Sequence, residues 1–132
     1  MREIEFRGKA KDTGKWAYGD LVHKHGQVFI RSYNKNEMRD ILVVPETVGQ
    51  FTGFRDIKNK KIYEGDIIEW IGYYPQHKYY DLVIFDTRNG QFRCHNTSCL
   101  RSHDIGGDCS VRPKVAGNKW DNPKLLKKIA FL

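Results

Sequence analysis

The chain has 132 residues, enough for one domain or one domain with a small satellite module. Its 39% hydrophobic and 30% charged residues suit a folded core rather than a disordered chain, and no apolar run approaches the roughly 20 residues a membrane helix needs. A formal charge of +7 favours polyanionic partners without requiring one, because acidic residues are interspersed almost throughout.

The N-terminus alternates charge with Ile4 and Phe6, which does not suit a signal peptide, so a cytoplasmic location is expected. Period two over residues 2 to 8 predicts a half-buried strand with Ile4 and Phe6 on one side. Lys11 to Gly14 reads as a tight turn, and Trp16 to Val22 as a returning strand with Gly19 at a bulge or close approach. A turn over His23 to Gly26 leads to a strand at Val28 to Arg31, and Ile41 to Val44 closes a short β-meander before Pro45 removes a ladder donor. Thr47 to Phe54 alternates into a hairpin whose turn, Asp56 to Asn59, calls for a left-handed residue, for which Asn is second only to Gly. Lys61 to Tyr63 returns to Glu64-Gly65-Asp66 and the strand Ile67 to Ile71. Gly65 there supplies a sharp bend, and Asp66 is expected to accept nearby amides.

Gly72 to Tyr80 is an aromatic-rich connection containing Pro75, and Leu82 to Phe85 is a short apolar run typical of a buried strand. Asn89-Gly90 marks a hairpin turn, with Gln91 to Cys94 as the partner strand. His95 to Pro113 carries no period and is expected to be mostly loop. Near the end, Asn122 with Pro123 at the first helical position predicts a short helix that packs through Leu125, Leu126 and Ile129.

Three stretches resemble the YopX family of small proteins from phages, prophages and related mobile elements of bacteria. They are the opening Met1 to Val22, the segment Val44 to Ile71, and the tail Val115 to Leu126 with Gly117, Asn118, Trp120, Asp121, Asn122, Pro123, Leu125 and Leu126. Asn59 stands where related sequences typically carry Gly. The resemblance implies an SH3-like barrel over about residues 48 to 115 and a phage or prophage source; the family has no settled biochemical activity to lend. The expected fold is therefore mainly β: an N-terminal β-meander (residues 1–45) packed on an SH3-like small barrel with a short C-terminal helical tail (46–132).

Four constellations bear on chemistry. Cys94, Cys99, His103 and Cys109 supply zinc-type donors, with His95 a spare, but lack the tight C-x2-C knuckle that pre-sets two ligands. The odd cysteine count argues against a disulfide framework and for reduced thiols. Gly106 to Ser110 resembles a turn presenting a Cys109 nucleophile with His95 or His103 as base, a geometry that spacing cannot establish. The carboxylates Glu64, Asp66, Asp81 and Asp86 read better as turn and strand-start residues than as an acid/base pair. No nucleotide-binding or metalloprotease motif is present, so an enzyme is not expected, and neither is a cofactor.

The best binding candidate is the aromatic stretch Trp70, Tyr73, Tyr74, His77, Lys78, Tyr79 and Tyr80, beside the basic hairpin Arg55, Lys58, Lys60 and Lys61. A second lysine cluster comprises Lys119, Lys124, Lys127 and Lys128. Tyrosines of this kind suit a protein interface, self-association included, and no membrane. With the lysines they also suit single-stranded nucleic acid, which stacks bases on aromatic rings. The expected function is thus that of a non-enzymatic accessory protein binding a protein partner, with nucleic acid as the alternative.

Overall fold

The computed structural model describes residues 1–71, 79–96, 101–103, 105 and 112–129. The chain divides into two compact units, Met1–Gly53 and Phe54–Leu132.

The first unit is an antiparallel sheet of β1 (Phe6–Lys9), β2 (Trp16–Lys24), β3 (Gln27–Asn34), β4 (Glu37–Leu42) and the start of β5 (Gly49–Arg55), in the order β4-β3-β2-β1-β5. Sequential hairpins build the meander, and β5 returns to the free side of β1, pairing Gln50 with Phe6. Alternation sorts the side chains. Ala17, Ile30 and Val43 are buried together, with Phe6, Leu21, Val28, Ile41 and Val48 packed against them. Gly19 is a close-approach point, since a Cβ there would collide with the backbone oxygen of Arg31.

Several strands differ in extent from the sequence reading: β4 covers Glu37–Leu42 where the sequence predicts Ile41 to Val44, and β5 starts at Gly49 because Thr47 belongs to a 3-10 turn. The first strand starts at Phe6, leaving Ile4 half exposed, because the ladder begins where Phe6 faces Gly19. The third runs on to Asn34 and pairs with Glu37–Leu42 through a two-residue turn at Lys35, whose φ is +50°. Residues 32 to 40 are mostly polar, so their alternation is hidden to a hydrophobic pattern while both edges of β3 are still paired. Pro45 ends the run as expected, in a 3-10 turn over Pro45–Thr47 in which Thr47 Oγ1 takes the Lys9 amide at 2.9 Å.

The second unit holds β6 (Lys61–Tyr63), β7 (Asp66–Ile71), β8 (Tyr79–Asp86), β9 (Gln91–Asn96), β10 (Arg101–His103), β11 (Arg112–Asn118) and helix α1 (Pro123–Ile129). Its sheet is antiparallel in the order β10-β9-β8-β7-β11. The core is Ile62, Ile68, Trp70, Val83, Cys94 and Ile105, with Phe92 and Val115 against it. Helix α1 packs on β8 and β11 and buries Ile129.

The mainly β class and the short C-terminal helix agree with expectation. Among the described residues neither sheet closes into a barrel. The segment 95 to 113, read as mostly loop, contains β10 and the start of β11, and β11 continues to Asn118. β11 escapes the sequence pattern because a bulge between Val115 and Gly117 breaks its alternation.

Candidate binding surfaces

The hairpin between β5 and β6 is organised by a buried carboxylate. Asp56 Oδ1 accepts the amides of Lys58 and Lys60, each at 2.8 Å, and Oδ2 accepts the Val115 amide at 3.0 Å. Burial alone would raise the Asp56 carboxyl, but these amides overcome it and hold the group below its ordinary value. The Ile57 amide bonds to the Pro113 carbonyl at 3.0 Å, so the first two residues of the turn are both pinned to β11. Asn59 takes the left-handed conformation its position demands, with φ +64°. Lys58 and Lys60 stand exposed on this rigid turn with no ion pair among the described residues, while Arg55 donates to the Asn59 carbonyl at 3.1 Å. Phe54 and Ile57 are exposed beside them, and Lys61 is half-buried.

The aromatic stretch meets a different fate. Trp70 lies in the core and donates its indole N–H to buried Asp81 at 2.6 Å, which gives it a structural position rather than a surface one. Tyr80 is half-buried, with Lys128 Nζ 5.3 Å from its ring centroid. Tyr73, Tyr74, His77 and Lys78 lie outside the described residues. Tyr79 belongs to β8, with its backbone opposite Trp70.

Cys94 is fully buried in the apolar core, and burial together with nearby Asp81 pushes its thiol far up, so it stays protonated. The backbone of His103 pairs with that of Cys94, whereas Cys99 and Cys109 lie outside the described residues. No group of three metal-binding side chains occurs among the described residues.

The carboxylates hold architecture. Asp66 accepts the Tyr63 amide at 2.8 Å, and Asp86 accepts the Arg88 amide and the Asn89 side chain in the β8–β9 turn.

The outer face of the N-terminal sheet, opposite Ala17 and Ile30, carries Trp16 and Tyr18 from β2, Phe29, Arg31 and Tyr33 from β3, and Met38 and Asp40 from β4. The registers Arg31–Asp40 and Tyr33–Met38 place these last four in facing pairs. Arg31 grips Asp40 with two bonds of 2.7 and 3.0 Å, and Lys24 adds a third at 2.7 Å. These bonds hold the Asp40 carboxyl well below the usual carboxylate range. Tyr33 donates to Asp20 at 2.9 Å, a bond that raises its phenol. Lys24 lies 4.6 Å over the Phe29 ring, and Arg7 lies 4.5 Å over Trp16. Tyr33 at 61%, Met38 at 59% and Tyr18 at 45% remain open to solvent.

The family model described as YopX protein matches residues 5–127. The chain belongs to the YopX family. Among solved structures, the crystal structure of protein EF1440 from Enterococcus faecalis is similar over 96% of this chain and 99% of that one, with a TM-score of 0.58 and 16% identity. At that identity the likeness concerns the fold alone. No curated protein matches the chain.

Two of the stretches that carry the YopX resemblance meet in the second unit. Gly65, at φ +90°, lies against the Trp120 ring so closely that a Cβ would overlap it. The Gly65 carbonyl accepts the Lys119 amide at 3.0 Å, and its amide bonds to Val83 at 2.8 Å. Asn118 Oδ1 collects the amides of Trp120 and Asp121, while Asn122 Oδ1 takes the Asn118 amide. Gly117 leaves the space that Asn122 occupies. Asn122 thus braces the β11 exit, and Pro123 opens the helix. In this YopX chain those motif residues build the fold.

Sequence reasoning missed the outer face of the N-terminal sheet as a surface. Its signal was present in Trp16-Ala-Tyr-Gly-Asp, where alternation sets the bulky Trp16 and Tyr18 on one face of the strand and the small Ala17 and Gly19 on the other. Only pairing with β3 and β4 shows that Tyr18, Tyr33 and Met38 stand on one side.

Proposed function

We propose that this chain is a non-enzymatic accessory protein that binds a protein partner, a second copy of itself included, through the outer face of its N-terminal sheet. The observation that carries the reading is the exposure of Tyr18, Tyr33 and Met38 around a fixed network of Arg31, Asp40, Lys24 and Asp20. Aromatic residues and methionine, with arginine, are the residue types enriched at protein interfaces. On this face Lys24 and Arg31 are set against two carboxylates, Asp40, which bonds both, and Asp20, which faces Arg31 across the β2–β3 pair. Binding a phosphate backbone depends on cations able to release counterions, so the face suits protein better than nucleic acid.

A photo-crosslinking residue in place of Met38 tests this directly. The expected result is a protein adduct, a dimer or a heavier species. It survives nuclease, persists at about 200 mM salt and fades when Tyr33→Ala is added. The absence of a protein adduct, or one indifferent to Tyr33→Ala, would sink the reading.

A second reading, nucleic-acid binding, is supported by the Asp56-braced turn, where Lys58 and Lys60 carry no ion pair among the described residues beside exposed Phe54 and Ile57. It requires labelled DNA or RNA to bind at about 50 mM salt and largely dissociate at about 200 mM. It also requires Lys58→Gln with Lys60→Gln to weaken that binding.

A further inference from the structure

Within the first unit, the β1–β2 turn and the edge strand β4 enclose a groove of about 560 Å³. That volume lies within the range of about 300–1,000 Å³ that small-molecule sites occupy. Its walls include Lys11, Lys15 and Arg39, the indole of Trp16, and the carboxylates Asp12 and Asp40. The charges are unequally committed. Asp40 is held by Arg31 and Lys24, so its charge is already compensated. Lys11, Lys15 and Arg39 carry no ion pair among the described residues, which leaves three cations facing one uncompensated carboxylate. The turn that presents the lysines is rigid: Ala10 and Gly14 close it with amide bonds of 2.8 Å, and the Lys11 amide ties it to Leu42 at 2.9 Å.

From this geometry we propose that the groove is a binding site for a mononucleotide-sized phosphate ester, a function that goes beyond docking on the sheet face. The dianionic phosphate sits among Lys11, Lys15 and Arg39, where charge-assisted hydrogen bonds are strongest. The planar ring lies along Trp16, the aromatic residue of the groove lining, whose ring also carries Arg7 at 4.5 Å and Lys9 at 5.4 Å from its centroid. Asp12 accepts from the hydroxyl groups of the sugar, which rationalises an acid beside three cations. A simple inorganic anion uses only the first of these contacts, and an uncharged nucleoside only the last two.

Calorimetric titration of the full chain at about 50 mM salt with AMP, adenosine and inorganic phosphate tests the assignment. AMP is expected to bind at least tenfold more tightly than either fragment. Lys15→Gln and Arg39→Gln are each expected to weaken AMP several-fold while leaving the thermal midpoint unchanged, since both side chains are exposed. Trp16→Leu is expected to weaken AMP more than phosphate, the signature of ring contact. No heat with AMP at low millimolar concentration overturns the proposal, as does AMP binding that is unchanged in both charge variants. Equal affinity for AMP and inorganic phosphate overturns the nucleotide assignment. Because neither Lys15 nor Arg39 belongs to the Tyr18–Tyr33–Met38 surface, failure here leaves the protein-docking reading standing, and the reverse.

Discussion

Asp56 offers the sharpest handle on how this chain is built. Its two oxygens receive three backbone amides, from Lys58, Lys60 and Val115, at 2.8 to 3.0 Å, and 8% of the residue is exposed. Each hydrogen bond to a charged group contributes about 1.5–3 kcal/mol. In Asp56→Ala the Lys58 and Lys60 amides regain water on the exposed turn, while the Val115 amide is left with less compensation. The expected cost is therefore roughly 2–4 kcal/mol, well short of three full bonds. For a unit of this size that lowers the thermal midpoint by on the order of 10–25 °C. Asp56→Asn keeps one acceptor oxygen for the turn but sets an NH2 group against a backbone donor, so its loss is intermediate.

The pH dependence follows from the direction of the shift. Burial works to raise the carboxyl, the three amides work to lower it, and the amides win, so the folded value lies below the ordinary 3.8. A depressed carboxyl contributes stability that is complete above 3.8 and is lost as pH falls through the folded value. Urea unfolding followed by circular dichroism and tryptophan fluorescence, at pH 7 and again below pH 3, is the assay. The gap between wild type and Asp56→Ala should be wide at pH 7 and close in acid. A cost below about 1 kcal/mol at pH 7, or a gap that does not narrow in acid, would refute the reasoning.

Other outcomes follow from single contacts. Asn59→Gly should be neutral or slightly stabilising, because φ is +64° there, whereas Asn59→Val should cost about 1–2 kcal/mol by denaturant unfolding. Gly65→Ala should cost at least about 2 kcal/mol, since the methyl meets the Trp120 ring at a φ of +90°, and pairing it with Trp120→Leu should recover part of the loss. Cys94 should resist a thiol reagent in the native protein at pH 8 and react only on unfolding, with mass spectrometry assigning the labelled site. The Asp40 carboxyl carbon, followed by NMR, should titrate well below 3.8, so the Arg31–Asp40–Lys24 network is complete above that pH and dissolves in stronger acid; a midpoint near 3.8 would dismantle the network assignment.

Local chemistry was legible in the sequence wherever a single residue type was needed. Gly19 at a close approach, Asn59 in a left-handed turn, Asp66 at a strand start and Pro123 at the first helical residue all take the roles their types imply. The family, too, was legible, because its motifs sit at such demanding positions: Gly65 beneath Trp120, and Gly117 making room for Asn122. The strand through Phe51 announced itself by alternation, with Gly49 and Phe51 buried and Gln50 and Thr52 half-buried between them.

Tertiary structure decided what depends on partners distant in sequence. Trp70, which looked like a stacking residue, is a core side chain because β8 brings Asp81 to its indole N–H. β11 exists because β7 offers it an edge, although its own alternation is broken by a bulge. Asp56 ties its turn to β11 because Val115, 59 residues away, supplies an amide to its second oxygen. The candidate surfaces follow the same rule. Tyr33 and Met38 face one another only once β3 and β4 pair, and Lys15 and Arg39 converge only once the β1–β2 turn is bonded to Leu42. Backbone propensity and turn chemistry are local and can be read from neighbours, but burial and charge compensation are set by which strands pair.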